Sequence, residues 1–327
     1  MSIDARREAF ERVGGRFDAR VLEPSPPAVD AAPWFADDPV APEPRTPGLP
    51  LLGPVSNADI TWDEITRDEP DLSEWCAARW LGACRRLGPL PDDDVLLATR
   101  TALHSVAEQV LAPVRRRATG KIGLRYTVGG FGTPFFGADE QARVDGVDLV
   151  VVLAGREARA PITTIADAGR FVGIGPGPPA DLYTPATTVD PDAALSVDPD
   201  AARAIGDWYG FSCSVLEEVR VVARATDSRT QLWPEHFDLS ADAGDEAAGT
   251  RGTFGSSPGD ATHPQPYLYV THWAADVAPD PFWNDPAFGG ASLPYAALLG
   301  VEDQRTAALD FFRTGLSTLS SLAGRGR

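Results

Sequence analysis

Trp233, Glu235, His236 and Asp238 fall within six positions of one another in the stretch QLWPEHFDLS, residues 231–240. An imidazole and a carboxylate two residues apart suit an acid–base pair in which Asp238 orients His236. On an extended strand alternate residues share a face. His236 and Asp238 then face one way, and Trp233, Glu235, Phe237 and Leu239 the other. Pro234 favours an edge strand or a strand that starts there. Three of the four histidines, His236, His263 and His272, come in the last third of the chain. Adding His272 to His236 and Asp238 makes a two-histidine, one-carboxylate metal set that would leave coordination positions open. Its spacing matches no ligand pattern such as HExxH. An ordinary polar strand face is the plain alternative.

A second group is aromatic. Tyr267, Tyr269, Thr271 and Trp273 alternate along PYLYVTHW and so share one strand face, a wall suited to a flat or apolar ligand. Large rings filling the core beneath irregular loops would read the same way. Lys121 and Arg125 share a strand face beside the glycine-rich GGFGTPFFG, where backbone N–H groups and two cations could hold an anion, or where the cations could pair with local carboxylates. His263 sits among turn residues and prolines and reads as a surface-loop histidine, while His104 lies beside a helical apolar stripe and reads as a half-buried structural histidine. GIGPGPP is not a dinucleotide fingerprint, because its spacing is wrong and no helix begins after it. The chain carries no GxSxG, Walker A or zinc-finger spacing.

The elements that must position these groups follow from periodicity. A short helix is expected over 2–17, a proline-rich wrapping arm over 23–56 and a helix over 71–87. PDDDVLLATRTALHSVAEQVLAPVRRR begins with aspartates and ends with arginines, matching the helix dipole, and Pro113 should kink its last turn. KIGLRYTV alternates as a strand, GGFGTPFFG reads as a turn or bulge, and Asp145–Gly146 suits a two-residue hairpin turn. EARAPI is a further strand, and Thr163 or Thr164 caps the helix that follows. Asp198 and Pro199 open another long helix as N-cap and N1. Strands over 231–240, TRGTFGSS and PYLYVTHW come next, then an irregular stretch from DPFWNDP to ALLG and a closing helix over 302–322. Long helix, alternating strand and glycine-containing turn therefore occur twice. The expectation is an α+β fold of antiparallel sheets packed with long amphipathic helices. Its domain plan is an N-terminal helix and arm over 1–56 and one compact domain over 57–327, with pseudo-repeated halves near 90–172 and 198–327.

Composition narrows the function classes. The chain has 327 residues, 43% of them hydrophobic, and a formal net charge of −18. That charge disfavours nucleic acid and anionic membrane surfaces, which need clustered Lys and Arg. No run approaches the ~18 apolar residues of a membrane span. There are three cysteines and no CxxC. Cys76 and Cys84, eight residues apart on one helix, would stand roughly 12 Å from each other, too far for a disulfide. A reduced, cytoplasmic protein is expected.

With LWPEHFDLS, GGFGTPFFG and FGSSPGDATHPQPYLYV in view, the chain resembles uncharacterised hypothetical proteins of actinobacteria. The resemblance runs from PSPPAVDAAPWFADDP to DQRTAALDFFR. It implies no activity and no catalytic residues. The leading expectation is small-molecule binding between an antiparallel sheet and its long helices, using Trp233, Glu235, His236, Asp238, Tyr267, Tyr269, His272 and Trp273, with Lys121 and Arg125 as further candidates. The alternatives are a metal-dependent hydrolase or oxygenase using His236, Asp238 and His272, and an interaction protein whose arm contacts a partner. No cofactor and no oligomeric state follow from the residues.

Overall fold

The computed structural model describes residues 87–322, with short breaks such as 135–139, 178–182 and 224–227, and before them only a two-residue antiparallel ladder of Pro24–Ser25 with Glu43–Pro44. The helices expected over 2–17 and 71–87 and the rest of the proline-rich arm lie outside the described residues.

Each half of the described chain is a long helix followed by a five-stranded antiparallel meander. In the first half, helix α1 (Asp93–Val106) passes through a π turn (Ala107–Leu111) into α2 (Ala112–Thr119). The kink expected at Pro113 takes the form of this π turn. Proline has no N–H to give Gln109, and the wider turn relieves the ring's clash with that carbonyl. The freed Gln109 carbonyl accepts the Gly177 N–H at 3.2 Å. Strands β1 (Arg125–Thr127), β2 (Gly130–Gly132), β3 (Gln141–Asp145), β4 (Asp148–Leu153) and β5 (Arg156–Pro161) follow in sheet order, and α3 (Ile165–Val172) closes the half. Thr164 is the α3 N-cap, accepting the Asp167 N–H at 3.0 Å.

Two local expectations shift. The β3–β4 turn is Gly146–Val147, one residue later than expected, because Asp145 pairs with Asp148 and the positive φ of 62° falls on Gly146. Gly130–Gly132 is a strand and not a turn. Its missing side chains admit β3, since a Cβ on Gly132 would stand 2.4 Å from the Arg143 side chain. Helix α4 (Pro199–Val222) approaches through a glycine of its own, where a Cβ on Gly206 would stand 2.9 Å from the Gly129 carbonyl.

The second half opens with α4, whose first turn is capped by Asp198 Oδ1 accepting from the Asp200 and Ala201 N–H groups, each at 2.9 Å. Its sheet holds β6 (Gln231–Trp233), β7 (Asp238–Ala243), β8 (Gly252–Ser257), β9 (Tyr267–His272) and β10 (Ala291–Pro294), again in chain order. Short α5 (Tyr295–Leu299) and long α6 (Gln304–Leu322) finish it. The α+β fold with two antiparallel sheets and long helices is therefore as expected. β10 and α5 lie in the stretch expected to be irregular.

The two meanders meet at their first strands. Leu124 and Leu232 exchange backbone hydrogen bonds of 2.8 and 2.9 Å, each giving its N–H to the other's carbonyl. Helix α4 runs across both sheets, touching β1, β2, β7 and β8, and packs against α1 and α6. Trp208 and Tyr209 on α4 are fully buried and lock its register to the second sheet. The indole Nε1–H donates to the Ser257 carbonyl at 2.8 Å, and the Tyr209 hydroxyl to the Phe237 carbonyl at 2.7 Å.

A candidate ligand cleft on the second sheet

Strand alternation gives the second sheet two unlike faces. Leu239, Ala243, Phe254, Leu268 and Val270 point into the core, where Phe254 meets Phe312 of α6 edge to face. The residues between them, Asp238, Ser240, Asp242, Thr253, Ser257, Tyr267, Tyr269 and Thr271, line a cavity of about 720 Å³ on the other face. Loops bearing Asp260, Thr262, His263, Ala287 and Phe288 complete its wall. No helical residue lines it. The pocket, expected between the sheet and its helices, is thus on the face that the described helices leave open.

QLWPEHFDLS is not one strand but a hairpin. β6 ends at Trp233, residues 234–237 turn, and β7 begins at Asp238, with Trp233 opposite Asp238. His236 and Phe237 both give their N–H to the Trp233 carbonyl, at 3.2 and 2.7 Å. Phe237 adopts a φ of 56°, a left-handed conformation costing a non-glycine residue roughly 1–2 kcal/mol. Packing offsets that cost. The buried ring stacks on His104 at 5.0 Å and meets Phe131 and Tyr209 edge to face. His104, read as half-buried and structural, also fixes the turn through its Nε2 at 2.8 Å from the Pro234 carbonyl. The hairpin corrects the facing of the stretch: Trp233 and Asp238 share a face, and Glu235 and His236 reach the same cavity from the turn.

Asp238 is the focus of the cleft. It is 7% exposed; its Oδ2 accepts the Tyr269 hydroxyl, and its Oδ1 is buried without a hydrogen-bond partner. Burial pushes its carboxyl up to about 6, against the Tyr269 hydrogen bond and nearby His236. Tyr269 reaches it by lying across Gly255, where a Cβ would sit 2.3 Å from the ring. Burial raises Glu235 as well, and its Oε2 is likewise buried without a partner.

The two ends of the cleft are internally bonded. At one end Thr253 Oγ1 donates to Asp242 Oδ1 at 2.8 Å and accepts from Trp273 Nε1 at 3.0 Å. The Arg251 guanidinium stands 4.6 Å from the centre of the exposed Trp273 ring and 3.6 Å from Asp242. At the other end burial opposes ionisation of Asp260. The Tyr267 hydroxyl at 2.6 Å and the His263 and Thr262 N–H groups outweigh it, holding that carboxyl below its ordinary range. His263, on a loop as expected and partly exposed, lines the cleft, with Nε2 2.9 Å from buried Asp285 and Nδ1 without a hydrogen-bond partner. Buried Arg100 of α1 holds this loop from below through the carbonyls of Pro258, Asp260 and Pro264.

Of the expected site residues, Trp233, Glu235, His236, Asp238, Tyr267, Tyr269 and Trp273 come together. His272 does not. It lies one residue out of phase with Tyr269 and Thr271 and faces a separate cavity of about 440 Å³ beside Trp283. The metal set of His236, Asp238 and His272 is therefore not assembled. Among the described residues no group of three or more His, Cys, Asp or Glu is placed to hold a metal ion. Lys121 and Arg125 belong to the first sheet and do not line the cleft. Lys121 precedes β1, so the two do not share a strand face, and Arg125 is buried. Asp242 and Ser240 were missed, although alternation from Asp238 marks both. The His263–Asp285 contact has no local signal. No family model matches the chain, and it matches none of the curated proteins or solved structures with which it was compared.

Proposed function

We propose that the chain binds a small organic molecule in the cleft on the open face of the second sheet. The observation that carries this reading is Asp238 Oδ1. A buried carboxylate oxygen without a donor costs stability, and a ligand that brings a donor to the floor of the cleft would offset that cost. Aromatic walls from Trp233, Tyr267, Tyr269, Trp273 and Phe288 supply the contact area. A cytosolic location and the absence of a nucleic-acid partner belong to the same proposal. The cleft is lined by carboxylates, and among the described residues no helix is long and apolar enough to cross a membrane.

The test is a thermal-shift screen of the full chain against a metabolite library, repeated with Trp233→Ala and Asp238→Asn. Hits that raise the wild-type melting temperature and lose the effect in either variant support the reading. A silent screen, or hits indifferent to both substitutions, refutes it.

A second reading, an enzyme using general acid–base chemistry, is favoured by the Asp285–His263 pair. A carboxylate at Nε2 leaves Nδ1, without a hydrogen-bond partner and 3.8 Å from Asp260, as the nitrogen to take a proton. His263→Gln should then abolish turnover of any ligand found while leaving its binding intact.

A further inference from the structure

We infer that the molecule recognised is an organic cation, a protonated amine attached to an apolar or aromatic body, with Asp238 and Glu235 as its counter-charges. This rests on the ligand-binding reading above and names the chemical class that the cleft selects.

The charge of the lining comes first. Glu235, Asp238, Asp242 and Asp260 all face the cavity, and no Lys or Arg lines it. Oxygen bookkeeping separates these four. Asp242 and Asp260 are satisfied by Thr253, by Tyr267 and by loop N–H groups. Asp238 Oδ1 and Glu235 Oε2 are buried without partners. Glu235 lies in the turn and Asp238 opens the strand after it, three positions on, and no hydrogen bond from neighbouring His236 reaches either oxygen. An ammonium group carries several donors and a full positive charge, and so complements a lining of carboxylates without cations.

The rings point the same way. Trp233 stands opposite Asp238 on the paired strand, and Tyr269 lies over Gly255 with its hydroxyl on Asp238. Aromatic faces beside carboxylates attract cations through the ring quadrupole, and Arg251 over Trp273 is a case within the protein itself. A phosphate or carboxylate ligand would meet four like charges. A neutral polyol could donate hydrogen bonds, but it would leave the buried charge uncompensated. The net charge of −18 favours approach of a cation over an anion.

Isothermal titration of the full chain at pH 7.5 would compare benzylamine, tyramine and spermidine with benzyl alcohol, 4-hydroxyphenethyl alcohol and myo-inositol. The expected result is binding of at least one amine, with its neutral counterpart at least tenfold weaker. Asp238→Asn and Glu235→Gln should each weaken the amine at least tenfold while leaving the neutral analogue unchanged. Circular dichroism checks folding, and Glu235 lies in a partly exposed turn, so at least one variant stays informative. Neutral analogues that bind as tightly as amines, and are lost in Trp233→Ala, overturn the cation inference and leave the cleft reading standing. Amine binding indifferent to both carboxylate variants overturns the inference as well. Silence from every probe at millimolar concentration, together with a silent metabolite screen, overturns both.

Discussion

Replacing Asp238 by asparagine should make the unliganded protein more stable at neutral pH. The carboxyl is buried and its folded-state pKa is raised from 3.8 to about 6. Between those values the unfolded chain holds fewer protons than the folded one, so stability falls as pH rises through the window. About two pH units correspond to roughly 3 kcal/mol that the charged form costs above pH 6. Asparagine removes the charge and can still accept the Tyr269 hydroxyl, although its amide NH₂ then stands without a partner where Oδ1 was. The net expectation is about 2 kcal/mol of stabilisation at pH 7.5, or roughly 4–8 °C in Tm, reversing to a deficit of about 1 kcal/mol near pH 3.5. The other groups around Asp238 are Glu235 and His236 from the turn, Tyr267 and Tyr269 from β9, and Tyr209 from α4. All stay in place in the variant, so the difference isolates this carboxyl. Calorimetry or urea unfolding of both proteins across that pH range is the assay. A variant destabilised equally at both ends would refute the reasoning, since Asp238 would then be a structural acceptor and not a charge held for a ligand. A gain in stability accompanied by loss of ligand binding is the signature of a site that sacrifices stability for function.

Three further outcomes follow from contacts described above. Gly255→Ala should displace Tyr269 from Asp238 and cost about 1–3 kcal/mol, with loss of binding; unchanged stability and affinity would show that the ring is not held there. Gly206→Ala should lower Tm although alanine favours helix by roughly 1 kcal/mol, because its Cβ meets the Gly129 backbone; a higher Tm would contradict that approach. Arg100→Met should free the loop over 258–266, read as new cleavage there in limited proteolysis with mass spectrometry, and an unaltered digest would count against its anchoring role.

Much of the fold was legible because it rests on local signals. The N-caps at Thr164 and Asp198, the charged ends of the first long helix and the alternation of Tyr267, Tyr269 and Thr271 act within a few residues. The turn inside QLWPEHFDLS was not legible. It lacks the glycine or asparagine that announces a positive φ, and Phe237 is held there by His104, Phe131 and Tyr209 from distant parts of the chain. Reading the stretch as one strand paired His236 with Asp238, whereas the hairpin pairs Trp233 with it. β10 was hidden for a similar reason: ASLP has little strand character and is ordered by its pairing with β9. His263 gains its place in the cleft from Asp285, twenty-two residues away across a strand and two loops.

The reciprocal joint at Leu124 and Leu232 bears on how the protein behaves in a crowded solution. Each meander has two edge strands, and an unpaired edge is a template on which another chain can add. Joining β1 to β6 engages one edge of each sheet inside the chain, leaving β5 and β10 outermost among the described residues. Both outer strands end in proline, Pro161 and Pro294, which offers no N–H to a newcomer. β5 also carries Arg159, tied to Glu157 and Asp145, and an incoming strand would have to cover those charges. β10 is four residues long and turns directly into α5. Pairing capacity is thus used inside the chain at the centre and opposed by proline and charge or brevity at the rims, so growth of the sheets into fibres is disfavoured from either side.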